Sequence, residues 1–576
     1  MASDQSDSTL AASEKRSSSI PNAEKPITEI ANHAPTANEE EADIPIEGAA
    51  AASDLSPARS HSKRTTSGHR ASIRRSRSYD EGYGFTSMGE YEEAPKREDE
   101  EQAPEKEFEV QWDGDNDPMN PRCMSKARKW MIVVIVSAGS TCVTCTSSMY
   151  TLTYDQITVE WHVSRVTATL GLSLFVMGLG IGPMVLGPLS EFYGRRPIYY
   201  VSFFFFLIWL IPCALSKNIA TEIVARFIDG VAGSAFLSVA GGTVGDMFVR
   251  NELQAPMMIF TASPFIGPPL GPMVAGFINQ YTTWRWTFYV LITWSAVMLG
   301  LIAAFVPETY HPVILRHKAV KLRKETGEEK WKAPIEVMQK SILQTIIRSC
   351  YRPFLLLTLE PMCLNLCLFS AILLGVLYLF FGAFEVVFTD NHNFELWQVG
   401  LSFSGLLVGQ LLAIATNPLW HNNYLRLANN REKNGGEPGG SEPEYRLPPA
   451  IAGGLLVPAG LFWFAWTTYP SIHWIVPIIG SAVFAAGMLL VFSGIFTFLV
   501  DAYPLYAASA LAANSFARSS FAAAFPLFGV QMYNKLGFQW ATTLLAFLTL
   551  VMAPFPYVFF KYGRRIRGTS RFASGR

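Results

Sequence analysis

Arg226 and Asp229 stand three residues apart within an apolar run at about 219–243. A charge in hydrocarbon costs several kcal/mol, so it should face the protein interior or a wet cavity and have a partner. The spacing puts both side chains on nearly one helix face, which makes Asp229 the expected partner of Arg226. Arginine does not release a proton, so a proton exchanged here must sit on a neighbouring acid. A plain structural ion pair between helices is the alternative.

A second charged group lies in the turn Gly187-Pro188-Leu189-Ser190-Glu191-Phe192-Tyr193-Gly194-Arg195-Arg196-Pro197. Glu191 can meet a basic residue or a helix N-terminus, and Arg195 and Arg196 can meet acids or helix C-termini. Such contacts form a latch that can break and re-form. Marking one membrane face with positive charge would explain the arginines, but not the flanking Gly187 and Gly194.

Glu385 follows Tyr378, Phe381 and Phe384, and a carboxylate among aromatic rings suits a cationic, amphipathic ligand. Asn514 and Arg518, four residues apart, share a helix face and are candidates for a cavity wall or for meeting the latch region. Glu360, beside Pro361, is expected only to mark a helix start. The candidate substrate cavity is made up of Tyr378, Phe381, Phe384, Glu385 and Asn514.

The elements that must position these groups are membrane helices. Half of the residues are hydrophobic and only 16% are charged, although the first part of the chain is very polar. About 20 apolar residues cross the ~30 Å hydrocarbon layer. Twelve such windows follow at about 130–152, 166–187, 197–216, 219–243, 256–279, 285–306, 362–387, 397–418, 449–469, 474–500, 506–530 and 536–560. The fold class is therefore an all-α membrane protein with two six-helix halves, 126–306 and 353–562. The basic segment 307–352 separates them as a cytoplasmic central loop.

Residues 1–125 are rich in Ser, Ala, Pro and Glu and are expected to be disordered, because they cannot bury enough apolar surface to offset ordering entropy. Within them, Lys63-Arg64-Thr65-Thr66-Ser67 and Arg74-Arg75-Ser76-Arg77-Ser78 resemble sites for basophilic protein kinases. Residues 563–576 are expected to be a second cytoplasmic tail. Lysine and arginine collect on one side of the twelve-span plan, which puts both termini in the cytoplasm. The first residues are polar and acidic, so the first span is expected to direct insertion. The net charge of −1 gives no reason to expect a nucleic-acid partner. The seven cysteines lie in or beside apolar runs without histidines nearby, and read as packing residues rather than metal ligands.

The turn at 187–197 resembles the signature loop between the second and third helices of the major facilitator superfamily, which more often has Asp where this chain has Glu191. The run Ser263-Pro264-Phe265-Ile266-Gly267-Pro268-Pro269-Leu270-Gly271-Pro272, with Gly276, resembles the motif of proton-coupled exporters in that superfamily. A generic packing kink is its plainer reading, with Gly267 and Gly271 spaced for close helix contact. Arg226-Phe227-Ile228-Asp229-Gly230 resembles the motif whose arginine is tied to proton transfer. With Trp284-Arg285-Trp286-Thr287-Phe288-Tyr289, Pro307-Glu308-Thr309-Tyr310 and Asp501-Ala502-Tyr503-Pro504, residues 125–565 look like the fungal twelve-span drug:proton antiporter branch. The loop Asn417-Pro418-Leu419-Trp420-His421 lacks the Gly-Arg-Arg core, so the second half's latch is expected to be degenerate.

The resemblance implies a major facilitator fold and export of hydrophobic or cationic molecules by alternating access, driven by a proton gradient without another cofactor. The expected partners are a small-molecule substrate, protons and the lipid bilayer, with the chain working as a monomer in the plasma membrane or a vacuolar one. A narrower polyamine or metabolite carrier and a transport-inactive sensor are the alternatives. An enzyme is not expected: no GxxxxGK[ST] loop or catalytic constellation is present.

Overall fold

The computed structural model describes residues 109–113, 117–249, 252–337, 341–435, 441–570 and 572–573. Both candidate kinase sequences lie outside these residues. Twelve long helical stretches occur among the described residues. The first six are α1 (Lys126–Met149, prolonged to Trp161), α2 (Arg165–Tyr193), α3 (Arg195–Leu215), α4 (Ile219–Met247, interrupted at Ser234), α5 (Gln254–Tyr281) and α6 (Arg285–Phe305). The second six are α7 (Pro361–His392), α8 (Leu396–Lys433), α9 (Pro448–Trp466), α10 (Ile475–Ala502), α11 (Ala507–Leu536) and α12 (Phe538–Arg567).

Ten of the twelve are long and apolar enough to cross a membrane on length and composition. The other two, α5 and α11, have the length, at 28 and 30 residues, but prolines and glycines dilute one and serines, Asn514 and Arg518 the other. Their packing explains the tolerance. Across the two halves α2 lies on α11 and α5 lies on α8, so α5 and α11 give much of their surface to protein. A helix hidden from lipid need not be apolar all round. Exchanging the halves turns α2–α11 into α8–α5, so the interface obeys a pseudo-two-fold.

The central segment is more structured than a polar loop. It contains the helix His311–Thr326, and the helix Ile342–Leu359 leads towards α7. The end of the segment expected to be disordered docks here. Val110 N–H donates to the Lys332 carbonyl at 3.0 Å, and Lys318 Nζ pairs with Asp113 at 2.8 Å and Asp117 at 2.9 Å. The Lys318 hydrogen bond holds the Asp117 carboxyl down at about 2. His311 Nε2–H donates to the Asp246 carbonyl at 2.9 Å, and burial pushes this imidazole down to about 4. The boundary of disorder drawn at 125 is thus too late for residues 109–113 and 117–125, because paired charges anchor them.

The expected C-terminal tail is also anchored where it is described. Arg567 donates from Nε to Glu444 Oε1 at 2.8 Å and from Nη2 to Glu444 Oε2 at 2.9 Å. Ser570 Oγ donates to Glu360 Oε1 at 2.8 Å. Glu360 therefore fastens the chain end rather than only starting α7.

Candidate functional site

The turn between α2 and α3 buries its first arginine. Arg195 Nε donates to Asp246 Oδ2 at 3.2 Å, at the end of α4, and Nη1 donates to Ser190 Oγ at 2.6 Å. The guanidinium also lies 4.7 Å from the centre of the Tyr310 ring. Glu308 sits at the N-terminus of α3. Its carboxylate accepts from the backbone N–H groups of Arg195 at 2.8 Å and Arg196 at 3.1 Å. An acid at a helix N-terminus satisfies orphan N–H groups and the helix dipole together. Arg196 stays exposed, with Nε donating to Tyr200 OH at 3.0 Å.

The two turn glycines differ. Gly194 has φ of +97°, and a Cβ there would run into the Glu308 carboxylate. A Cβ on Gly187 would meet nothing within 4 Å. The helix-capping acid is thus Glu308, whereas Glu191 lies near the end of α2 at the mouth of the cavity described below.

The loop Asn417–His421 lacks the Gly-Arg-Arg core as expected, yet the second half carries an ion pair that corresponds to Arg195–Asp246. Arg446 Nε donates to Asp501 Oδ2 at 2.8 Å, joining the start of α9 to the end of α10. Arg195 and Asp246 join α3 to α4 in the same way. The sequence separations are 51 and 55 residues, and that repeat is the signal that could have revealed the second pair. The arginine escaped notice because it follows the long polar loop instead of standing in the Asn417–His421 turn.

Arg226 and Asp229 are both fully buried in the first half. Arg226 Nη1 donates to the Thr146 carbonyl at 3.1 Å, and its guanidinium lies 4.3 Å from the Tyr150 ring centre and 4.6 Å from that of Phe175. Among the described residues, neither oxygen of Asp229 has a hydrogen-bond partner, nor do Nε and Nη2 of Arg226. The expected direct pair is therefore not formed. One helix turn brings the two side chains to nearly one face, but the rings around Arg226 take its guanidinium instead.

The Gly/Pro run of α5 is a continuous helix held close to α1. A Cβ on Gly267 or Gly271 would strike the hydroxyl of Thr144 or Ser148 respectively, while Cys145 Sγ donates to the Gly267 carbonyl at 3.3 Å. Ser263 Oγ donates to the Phe260 carbonyl at 2.8 Å. Pro264 lacks the N–H that would bond this carbonyl, so the hydroxyl re-satisfies it. Pro268 lines the cavity, and Pro272 and Gly276 lie against the start of α8, in the other half.

Between the halves lies a cavity of about 950 Å³. Its mouth, at the latch end, is bordered by Glu191, Arg348, Glu432 and Arg446. Thr144, Phe265, Tyr378 and Arg518 line the deeper part. The far end is closed by contacts across the halves. Arg165 on α2 pairs with Glu385 on α7, Ser147 Oγ lies 2.9 Å from Tyr378 OH, and Leu396 N–H donates to Gln280 Oε1 at 3.1 Å.

Of the five residues expected to form the substrate cavity, Tyr378 alone is on its wall. Phe381 and Phe384 turn away into the second half's core, where Phe384 stacks on Phe464 at 5.2 Å. Glu385 serves the closed end. Asn514 Nδ2 donates to Ser370 Oγ at 2.6 Å between α11 and α7. Periodicity placed these residues on helices but could not say which face meets the other half. The sequence alone also gives no pointer to Asp246 or to Arg165 as partners, because both pairings are long-range.

Two halves around a cavity, with ion pairs at corresponding places, match what comparison with known proteins finds. The solved xylose transporter XylE from E. coli shares this fold, with a TM-score of 0.53 and 16% identity over 75% of this chain and 99% of that one. Efflux pump atB of Aspergillus terreus is 60% identical over 82% of this chain and 91% of that protein. The probable drug/proton antiporter YHK8 of Saccharomyces cerevisiae is 42% identical, over 78% and 87%. The multidrug transporter mdrA of Aspergillus fumigatus is 41% identical, over 81% and 76%. With residues 136–526 matching its sequence profile, the chain belongs to the Major Facilitator Superfamily.

Proposed function

We propose that this chain exports hydrophobic small molecules in exchange for protons, by exposing the central cavity alternately to the two sides of a membrane. One observation carries the reading. The cavity is open at the latch end, and every contact named at its closed end joins one half to the other. Rocking the halves would break those contacts and close the opposite mouth. The similarity to efflux pumps and a probable drug/proton antiporter supports the outward direction.

The positive-inside rule puts the latch end in the cytoplasm, with Arg195, Arg196 and the basic central segment, so the structure is inward-facing. Both termini are then cytoplasmic. The plasma membrane is the site of an exporter that clears the cell, and a single chain encloses the whole path, so the monomer is the working unit. Asp229 is the proton carrier of this scheme. A buried carboxyl with no hydrogen-bond partner is otherwise unexplained, and Arg226 beside it can stabilise the ionised state. The gradient is the only energy source required, since a difference of one pH unit drives about tenfold accumulation per proton. A polyamine cargo is disfavoured because Glu385 is engaged by Arg165 rather than facing the cavity.

Inverted membrane vesicles from cells expressing the protein test this reading with the neutral lipophilic dye Nile red. Acidifying the vesicle interior should drive dye uptake, and a protonophore should abolish it. Uptake indifferent to the gradient would remove the antiport mechanism.

A further inference from the structure

We infer that the cargo carries a negative charge, a carboxylate or similar acid on an apolar body, and that Arg518 binds it. The inference rests on the exporter reading for the direction of movement only. Arg518 is the twelfth residue of α11, about 17 Å along the helix from its start, and lines the deeper part of the cavity. It forms no hydrogen bond or ion pair among the described residues, and its Nε is buried without a partner. Three rings hold it instead. Its guanidinium carbon lies 5.6 Å from the ring centre of Phe265, 5.5 Å from that of Phe492 and 4.9 Å from that of Phe496.

The carboxylates do not answer this charge. Glu191 and Glu432, the two on the cavity wall among the described residues, stand at its mouth. Glu360 binds Ser570, and Glu385 binds Arg165. A guanidinium offers planar, forked donors that match a carboxylate, and an apolar site strengthens the pair. Arg348, at the mouth, adds positive charge on the way in.

The rings also explain how binding reaches both halves. Phe265 belongs to α5, while Phe492 and Phe496 belong to α10, and Phe265 stacks on Phe492 at 4.6 Å. A flat apolar body attached to the acid would lie against both helices. Occupancy then acts on the interface that must move.

Equilibrium binding to the purified full-length protein tests this with 2-naphthylacetate and its neutral isostere 2-naphthylacetamide. The acid should bind at least tenfold more tightly, and Arg518→Gln should erase the difference. Arg518→Lys should keep part of it, because charge survives but the fork is lost. Added salt should weaken acid binding to the unaltered protein and leave amide binding unchanged, which supplies a readout if a variant does not fold. Equal affinities in the unaltered protein, or a preference that survives Arg518→Gln, would overturn the inference. Vesicle transport of the same pair separates the two readings. Gradient-driven uptake of both compounds without preference leaves export standing and removes the acid cargo. Acid-selective binding without gradient-driven movement does the reverse.

Discussion

Arg446 Nε donates to Asp501 Oδ2 at 2.8 Å, in the place on the second half that Arg195 and Asp246 hold on the first. Each pair ties the start of the third helix of its half to the end of the fourth. The pairs differ in burial. The Arg195 side chain is 1% exposed and that of Arg446 is 24% exposed. Removing one partner of a buried ion pair costs about 3–5 kcal/mol, whereas solvent reduces the cost for an exposed one. Asp246→Asn is therefore expected to destabilise the protein by several kcal/mol and Asp501→Asn by roughly 1–2 kcal/mol. Thermal unfolding in detergent checks the order, and equal midpoints for the two variants would sink it.

Gly194 and Gly187 flank the same turn and should respond in opposite ways to alanine. At Gly194 the positive φ and the Glu308 carboxylate both oppose a Cβ. Strain of this kind costs of order 1–3 kcal/mol. Gly194→Ala should lower thermal stability accordingly and weaken capping of α3. Gly187→Ala, with open space around it, should leave stability within about 0.5 kcal/mol. Unfolding midpoints that match for the two variants would show that Glu308 does not fix the turn.

The fold was legible because its signals are local. Length, apolarity and the basic central segment place twelve helices in two sixes, and the Gly267/Gly271 spacing announces close packing against a neighbouring helix. The site was legible only in part. Arg195 and Arg226 stand out as charges, but their partners are fixed by the tertiary arrangement: Asp246 lies 51 residues from Arg195, and rings from three segments surround Arg226. Glu385 was misread for the same reason. A carboxylate beside aromatics looks like a cation site until Arg165, 220 residues away, is brought against it.

The Arg165–Glu385 pair closes the far end of the cavity and should hold the state in which the latch end is open. Arg165 is about one-third exposed and Glu385 nearly buried, so the pair is worth roughly 1–2 kcal/mol. Glu385→Gln should shift the balance towards the opposite state by about 5–30-fold. A cysteine in place of the buried and nearly isosteric Ser147 at the closed end would report it, through faster labelling by a membrane-impermeant maleimide from the face opposite the latch end. Unchanged labelling in Glu385→Gln would mean that the pair is not a gate.

His311 gives the docked central helix a pH dependence of defined sign. Burial pushes its imidazole down to about 4, below the ordinary 6.5, so docking requires the neutral ring. Its stabilising contribution is complete above pH 6.5 and is lost as pH falls towards 4. Its neighbours are the Asp246 carbonyl, the Trp112 ring and Arg122, and Asp117, held at about 2, keeps its charge throughout. The Asp246 carboxylate, paired with Arg195, can take up a proton in the same window, so the comparison with a His311 variant is what isolates the imidazole's share. Amide exchange of residues 311–326 should quicken between pH 6.5 and 4 relative to the intrinsic rate. His311→Gln, which can keep the bond to the carbonyl, should flatten that change.

Asp229→Asn separates proton coupling from folding. Asn is nearly isosteric with Asp and uncharged, and neither Asp229 oxygen has a hydrogen-bond partner to lose among the described residues. The substitution should therefore leave expression and the unfolding midpoint nearly unchanged. If Asp229 carries the exchanged proton, uptake driven by an acid interior should fall at least tenfold. Binding of the cargo, which occupies the cavity and not the core of the first half, should persist. Arg226→Ala removes a hub that touches Thr146, Tyr150 and Phe175, so it should cost both stability and transport. The contrast between the variants is the measurement. Gradient-driven uptake at full rate in Asp229→Asn would move the proton to another acid, and Glu222, buried on the same helix with Oε2 accepting from Ser216 Oγ at 2.9 Å, would be the next residue to replace.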